Sequence, residues 1–73
     1  MSALTKAELQ IVLNGADVAT PARTLLELVE LQQLSELKIA TAINGHFVPA
    51  AKRATTLLND GDRVEIVSPR QGG

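Results

Sequence analysis

Leu9-Gln10-Ile11-Val12-Leu13-Asn14-Gly15 is the stretch whose reading decides the fold. Leu9, Ile11 and Leu13 alternate with Gln10 and Val12, the period of two that sends successive side chains to opposite faces of a strand. Asn14-Gly15 follows at once, and Asn-Gly supplies the positive φ angles of a tight hairpin turn. Ala16–Thr20 is then a short return strand at a sheet edge. Pro21 closes it, because proline has no N–H to give to a ladder.

Working outward, the next signal is helical. Thr24-Leu25-Leu26-Glu27 fits a capping box, with a hydroxyl at the N-cap and a glutamate three residues on to reach back. Leu25, Leu28, Val29 and Gln32 lie on one stripe, with Glu27, Glu30 and Gln33 mostly opposite. The spacing predicts a helix over residues 25–33; a start at Thr20-Pro21 is the alternative. Residues 34–37 form a connection. Residues 38–44 read as a second long strand, in which Ile39, Thr41 and Ile43 alternate with Ala40 and Ala42. The β-branched set is expected to face the helix; the opposite register exchanges the two sets.

Asn44-Gly45 is a second hairpin turn, leading into a short strand, His46-Phe47-Val48, that Pro49 closes. Residues 50–56 have room for a helical turn, and Leu57 and Leu58 are both expected to plug the core from a loop. Asn59-Asp60-Gly61-Asp62 is a tight polar turn. The final strand covers residues 63–68, with Val64 and Ile66 inward and Glu65 and Val67 outward. Hairpin, helix, strand, short strand, strand is an α+β order: a mixed four- to five-stranded sheet packed on one helix, its other face left to solvent or a partner.

Composition narrows the function. With 73 residues the chain makes one domain, whose small size limits burial to about 60% of the surface the unfolded chain exposes. There is no cysteine, so no disulfide, zinc-thiolate site or cysteine nucleophile. Seven basic and eight acidic residues are interspersed, for a net charge of −1, which is no nucleic-acid footprint. Phe47 is the sole aromatic residue, so the core is aliphatic and base stacking is a poor prospect. No apolar run approaches a membrane span and no signal-peptide pattern opens the chain, so a cytoplasmic protein is expected.

The sequence ends on Pro69-Arg70-Gln71-Gly72-Gly73. Two glycines make a slim end that passes where a side chain would not fit, so they read as a carboxylate on a flexible tether able to enter another protein's active site. A frayed end or a cloning scar is the plainer alternative. Residues 1–8 read as a loose leader. On the uncovered sheet face, Val12 and Val67 are candidate partner contacts, against the plainer reading of scattered exposed valines. Val67 leads directly into the tail. Arg70 suits an acidic partner surface or simple solvation. His46 after its turn and the Lys52-Arg53 pair read as solvated. Asp60 and Asp62 read as turn chemistry, since one short turn cannot supply the six to eight oxygens that calcium takes. No catalytic triad, paired carboxylates or metal set is visible.

These pieces in this order resemble the ubiquitin-like β-grasp fold and, within it, the ThiS family of thiamine-biosynthesis sulfur carriers. The residues carrying the resemblance are Ile11-Val12-Leu13-Asn14-Gly15, Thr24-Leu25-Leu26-Glu27-Leu28, Ala42-Ile43-Asn44-Gly45 with Val48-Pro49, Leu58, Asp60-Gly61-Asp62-Arg63-Val64-Glu65-Ile66-Val67, and the terminal Gln71-Gly72-Gly73. Two features depart from the family pattern: eight residues precede the first strand, and Ala50-Ala51-Lys52-Arg53-Ala54 stands where many members carry a basic and then an aromatic residue.

The resemblance implies a carrier rather than an enzyme, with no cofactor of its own. A ubiquitin-activating-enzyme-like adenylyltransferase would use ATP to adenylate the Gly73 carboxylate, with Arg70, Gln71 and Gly72 threading its active site. A sulfur donor, such as a persulfide enzyme, would convert the adenylate to a thiocarboxylate, and a thiazole synthase would consume that sulfur. The small subunit of molybdopterin synthase, with the same tail chemistry, is one alternative. A non-covalent β-grasp binding module, to which a free Gly-Gly end is of no use, is another.

Overall fold

The computed structural model describes residues 8–34 and 38–68. Five strands and one α-helix alternate along them: β1 (Leu9–Leu13), β2 (Ala16–Thr20), α1 (Leu25–Leu31), β3 (Ala40–Ile43), β4 (His46–Val48) and β5 (Arg63–Val67). A 3-10 helix, Ala50–Thr55, lies between β4 and β5. The sheet order is β2-β1-β5-β3-β4, which puts the last strand at the centre. β5 runs parallel to β1 and antiparallel to β3, while both hairpins are antiparallel, so the sheet is mixed. A mixed five-stranded sheet on one helix is the predicted ubiquitin-like β-grasp.

Both Asn-Gly pairs form the hairpin turns foreseen for them. Asn14 and Asn44 take φ of 50° and 51°, and Gly15 and Gly45 both take 86°, the doubly positive geometry whose twist matches that of the flanking strands. The two-residue turns fix register, pairing Leu13 with Ala16 and Ile43 with His46. Every inward set follows from there. Ile11, Val64 and Ile66 are buried, Leu9, Leu13, Ile39 and Ile43 pack partly buried against them, and Leu25, Leu28 and Val29 close the core from the helix. The β-branched face of β3 is the inner one, as expected.

Thr41 is the polar residue of that face, 1% exposed, and its hydroxyl is fully used. It donates to the Val48 carbonyl at 2.8 Å and accepts from Arg53 Nε at 3.1 Å. Arg53 Nη2 also donates to the Ile39 carbonyl at 2.9 Å. The reading of Lys52-Arg53 as a solvated pair is therefore corrected for Arg53, whose guanidinium ties the 3-10 helix to β3. Lys52 is exposed.

Helix α1 starts where the capping residue requires. Thr24 Oγ1 accepts from the Glu27 N–H at 3.2 Å, while Glu27 Oε1 reaches back one residue further than a capping box asks, to the Arg23 N–H at 2.6 Å. The helix stops two residues short of the predicted 25–33. Gln32 is its C-cap and Gln33 turns left-handed, at φ 63°. The Gln33 N–H donates to Glu30 O at 2.9 Å and the Leu34 N–H to Val29 O at 3.1 Å, the paired bonds of a Schellman motif. Leu34 then packs on the core.

Leu58 plugs the core, at 5% exposed, but Leu57 does not: it is 66% exposed. The segment is extended, bridging Leu57 to Thr24, with Leu25 N–H donating to Thr56 O and Leu58 N–H to Arg23 O, both at 2.9 Å. Neighbouring side chains on an extended segment point opposite ways, so one of the two leucines faces out. The loose leader expected before β1 falls outside the described residues except for Glu8, which is exposed and precedes the strand.

Candidate functional site: the open sheet face beside the last strand

The sheet face turned away from α1 is set by alternation. Outward on β5 are Arg63, Glu65 and Val67; in register with Glu65 and Val67 on β3 are Ala42 and Ala40; in register with Ala42 on β4 is Phe47. Phe47 is 68% exposed and Val67 56%, and the two small alanines lie between them. The result is an apolar patch at the edge of which the chain leaves β5 toward Ser68. Exposed aromatic surface on a flat face with little side-chain entropy to lose is what a docking partner uses as an anchor.

Of the two valines named from the sequence, Val67 belongs to this patch. Val12 faces the same way but is half-buried and stands opposite Arg63 and Asp17. Because Val12 is level with Arg63, it lies four residues down the strand direction from Val67, about 13 Å at about 3.3 Å per residue. Arg63 and Glu65 stand between them, beside a shallow groove of about 320 Å³ that Val12 and Gly45 also line. The structure therefore does not bring Val12 and Val67 together. Gly73, Gly72, Gln71 and Arg70 lie outside the described residues.

Phe47 is the residue that sequence reasoning left unassigned. Its position was readable: with Ala42 outward and a two-residue turn at Asn44-Gly45, residue 47 must stand opposite residue 42 on the outer face. His46 is exposed at the turn. Asp62 is buried and spent on turn bonds, its Oδ1 accepting from Asn44 Nδ2 at 3.0 Å and its Oδ2 from the Asn59 N–H at 2.9 Å. Asp60 Oδ1 accepts from the Gln10 N–H at 2.8 Å. Both aspartates do the turn chemistry foreseen for them. Among the described residues, no group of three or more His, Asp or Glu side chains is placed to hold a metal ion, and no helix is long and apolar enough to cross a membrane.

The comparisons with known proteins bear on both fold and family. The family model described as "ThiS family" matches residues 7–73. Among solved structures, the thiamine biosynthesis protein ThiS from Geobacter metallireducens superposes with a TM-score of 0.75 at 20% identity, covering 89% of this chain and all of that one. At that identity the likeness speaks for the fold. No curated protein matches the sequence. The family match spans both Asn-Gly hairpins, the helix and the central last strand, and the chain belongs to the ThiS family, the small sulfur carriers of thiamine biosynthesis.

Proposed function

We propose that this chain carries sulfur as a thiocarboxylate on Gly73 and delivers it for building the thiazole ring of thiamine. The observation that carries the reading is the family match, which runs through the Gly72-Gly73 end. A carboxylate is a poor electrophile, since its charge repels nucleophiles and its oxygen leaves badly. An adenylating enzyme of the ubiquitin-activating kind joins it to AMP from ATP, releasing pyrophosphate. The terminal sulfur of a persulfide then attacks the carbonyl carbon and AMP leaves. A thiol cleaves the resulting acyl disulfide and frees the thiocarboxylate, whose sulfur is the nucleophile for a thiazole synthase. The chain itself is a co-substrate and not an enzyme; the ATP belongs to its partner.

The attacking atom must come within about 3–3.5 Å of the carbonyl carbon on an aligned path, which favours glycine at the last two positions. Gln71 and Arg70 follow them into the partner's channel. Ordering such a tail costs roughly 1–2 kcal/mol per backbone residue fixed. The folded domain offsets this through its own docking surface, which we assign to Phe47, Ala42, Ala40 and Val67, with Val12 at the far rim.

The test is incubation with the adenylating enzyme, ATP and a persulfide donor, followed by intact-protein mass spectrometry. The expected result is the mass of an oxygen-to-sulfur exchange localised to Gly73. An unchanged mass with an adenylating enzyme that is active on its own carrier overturns the reading.

A further inference from the structure

The central strand is held at each end by an asparagine side chain. At its start, Asn44 Oδ1 accepts from the Arg63 N–H at 2.9 Å and the Asn44 N–H donates to the Arg63 carbonyl at 2.7 Å. At its far end, Asn14 Oδ1 accepts from the Ile66 N–H at 2.9 Å and Asn14 Nδ2 donates to the Ile66 carbonyl at 3.1 Å.

The second clamp replaces a missing strand. The parallel ladder between β1 and β5 advances from the Val12 N–H on Asp62 O to the Asn14 N–H on Val64 O, both at 2.9 Å. In a parallel ladder the next rung would join residue 16 to the Ile66 carbonyl. Residue 16 is not there, because the chain has turned at Asn14-Gly15 and Ala16 already pairs with Leu13 in the hairpin. The Ile66 carbonyl would be left facing a gap, and the Ile66 N–H, whose ladder partner would be the Asn14 carbonyl, takes the Asn14 side-chain oxygen instead. The Asn14 carboxamide fills the gap, donating and accepting as a peptide group does. No other side chain that tolerates φ of 50° as readily offers both functions: aspartate only accepts, and glycine offers nothing.

We infer that Asn14 is a positioning residue for the tail chemistry, fixing the point at which the chain leaves the sheet on its way to Gly73; this rests on the carrier reading above. Beyond Ser68 the sequence runs five residues to Gly73, at most about 18 Å when fully extended. The position of the root therefore bounds where the Gly73 carboxylate can be presented. Misplacement of a reacting group by 1 Å can cost on the order of a hundredfold in rate. Of the docking surface, Phe47 is held by the β3–β4 hairpin, and Val67, next to the clamped Ile66, is also paired with Ala40 of β3. Loss of the clamp therefore acts on turnover more than on docking.

The experiment compares Asn14→Gly with Asn44→Gly. Each keeps the positive φ its turn needs and removes one carboxamide from β5, at opposite ends of the strand. Adenylation is followed as ATP–pyrophosphate exchange catalysed by the adenylating enzyme, titrated with carrier at a temperature where both variants are folded. Amide hydrogen exchange reports on Ile66 directly. For Asn14→Gly, Ile66 exchange should quicken about tenfold and kcat should fall about tenfold, with KM within about threefold of the parent. Asn44→Gly should lose stability too but keep kcat. Asn14→Asp, which keeps the acceptor and loses the donor, should lower kcat in the same sense and stands in should the glycine variant not fold. Parental kcat in the Asn14 variants, or an equal loss in Asn44→Gly, overturns the assignment alone. Absence of exchange with the parent protein overturns the carrier reading and this assignment with it.

Discussion

The Arg53 guanidinium donates to the hydroxyl of Thr41, 3.1 Å away, beneath the sheet edge that β4 closes. Thr41 is buried and Arg53 half-buried, and the same guanidinium reaches the Ile39 carbonyl. This one side chain therefore fastens the 3-10 helix to β3. Hydrogen bonds from a charged donor contribute about 1.5–3 kcal/mol. Arg53→Met, which keeps the length of the stem and removes every donor, is expected to lower the unfolding free energy by roughly that amount. Urea denaturation measures it. A midpoint equal to the parent's would return Arg53 to the solvated class.

A second expectation runs the other way. Gln33 holds the left-handed position that ends α1, at φ 63°, where a side chain costs roughly 1–2 kcal/mol. Glycine takes that conformation freely but loses more entropy on folding. Its Schellman bonds come from backbone groups, so they survive the change. Gln33→Gly is therefore expected to stabilise the fold by about 0.5–1 kcal/mol, seen as a rise in denaturation midpoint. A lower midpoint would mean that the Gln33 side chain holds the helix end by a contact of its own.

What the sequence made legible was local, and what it hid was tertiary. Asn-Gly announces a turn within two residues, and both turns formed where foreseen. The second use of Asn14 stayed hidden because its partner Ile66 is 52 positions away. Adjacent Lys52 and Arg53 look alike in sequence, yet only the packing of the 3-10 helix on β3 separates their fates. Leu57 and Leu58 differ in the same way, since which of them faces the core depends on the bridge to Thr24. Helix α1 ran two residues shorter than its apolar stripe suggested because no glycine marks the stop at Gln33. On the open face, alternation singled out Val12 and Val67, but only the register across three strands joined Val67 to Phe47 and set Val12 apart.

The patch itself gives a third test. Phe47 and Val67 are exposed, so replacing them should disturb folding by no more than about 0.5 kcal/mol. A central aromatic anchor can cost about 2 kcal/mol of binding when truncated, or roughly thirtyfold in affinity. Phe47→Ala is thus expected to weaken binding to the adenylating enzyme by that order, and Val67→Asp to do the same by burying a charge. Val12→Ala, at the rim, should change it by less than about threefold. Titration calorimetry on the folded variants decides. Parental affinity in Phe47→Ala would move the docking surface elsewhere, and an unfolded Val67→Asp would contradict the outward register of β5.

The last test falls on Gly73. Deleting it places the carboxylate one residue short, about 3.3–3.6 Å of lost reach. An error of even 1 Å at a reacting centre can cost on the order of a hundredfold, so the shortened chain should form no measurable thiocarboxylate. Gly73→Ala keeps the reach but sets a β-carbon beside the electrophile and narrows the φ angles open to the end of the chain. It should be adenylated and sulfurated far more slowly than the parent. The buried hydrophobic core runs from Ile11 to Ile66, so both variants are expected to keep the parental denaturation midpoint. Mass spectrometry of the C-terminal peptide, taken over a time course with the adenylating enzyme, ATP and persulfide, separates the three proteins. Normal sulfuration of the deletion variant would mean that the Gly-Gly end takes no part in the chemistry, and the carrier reading would fall with it.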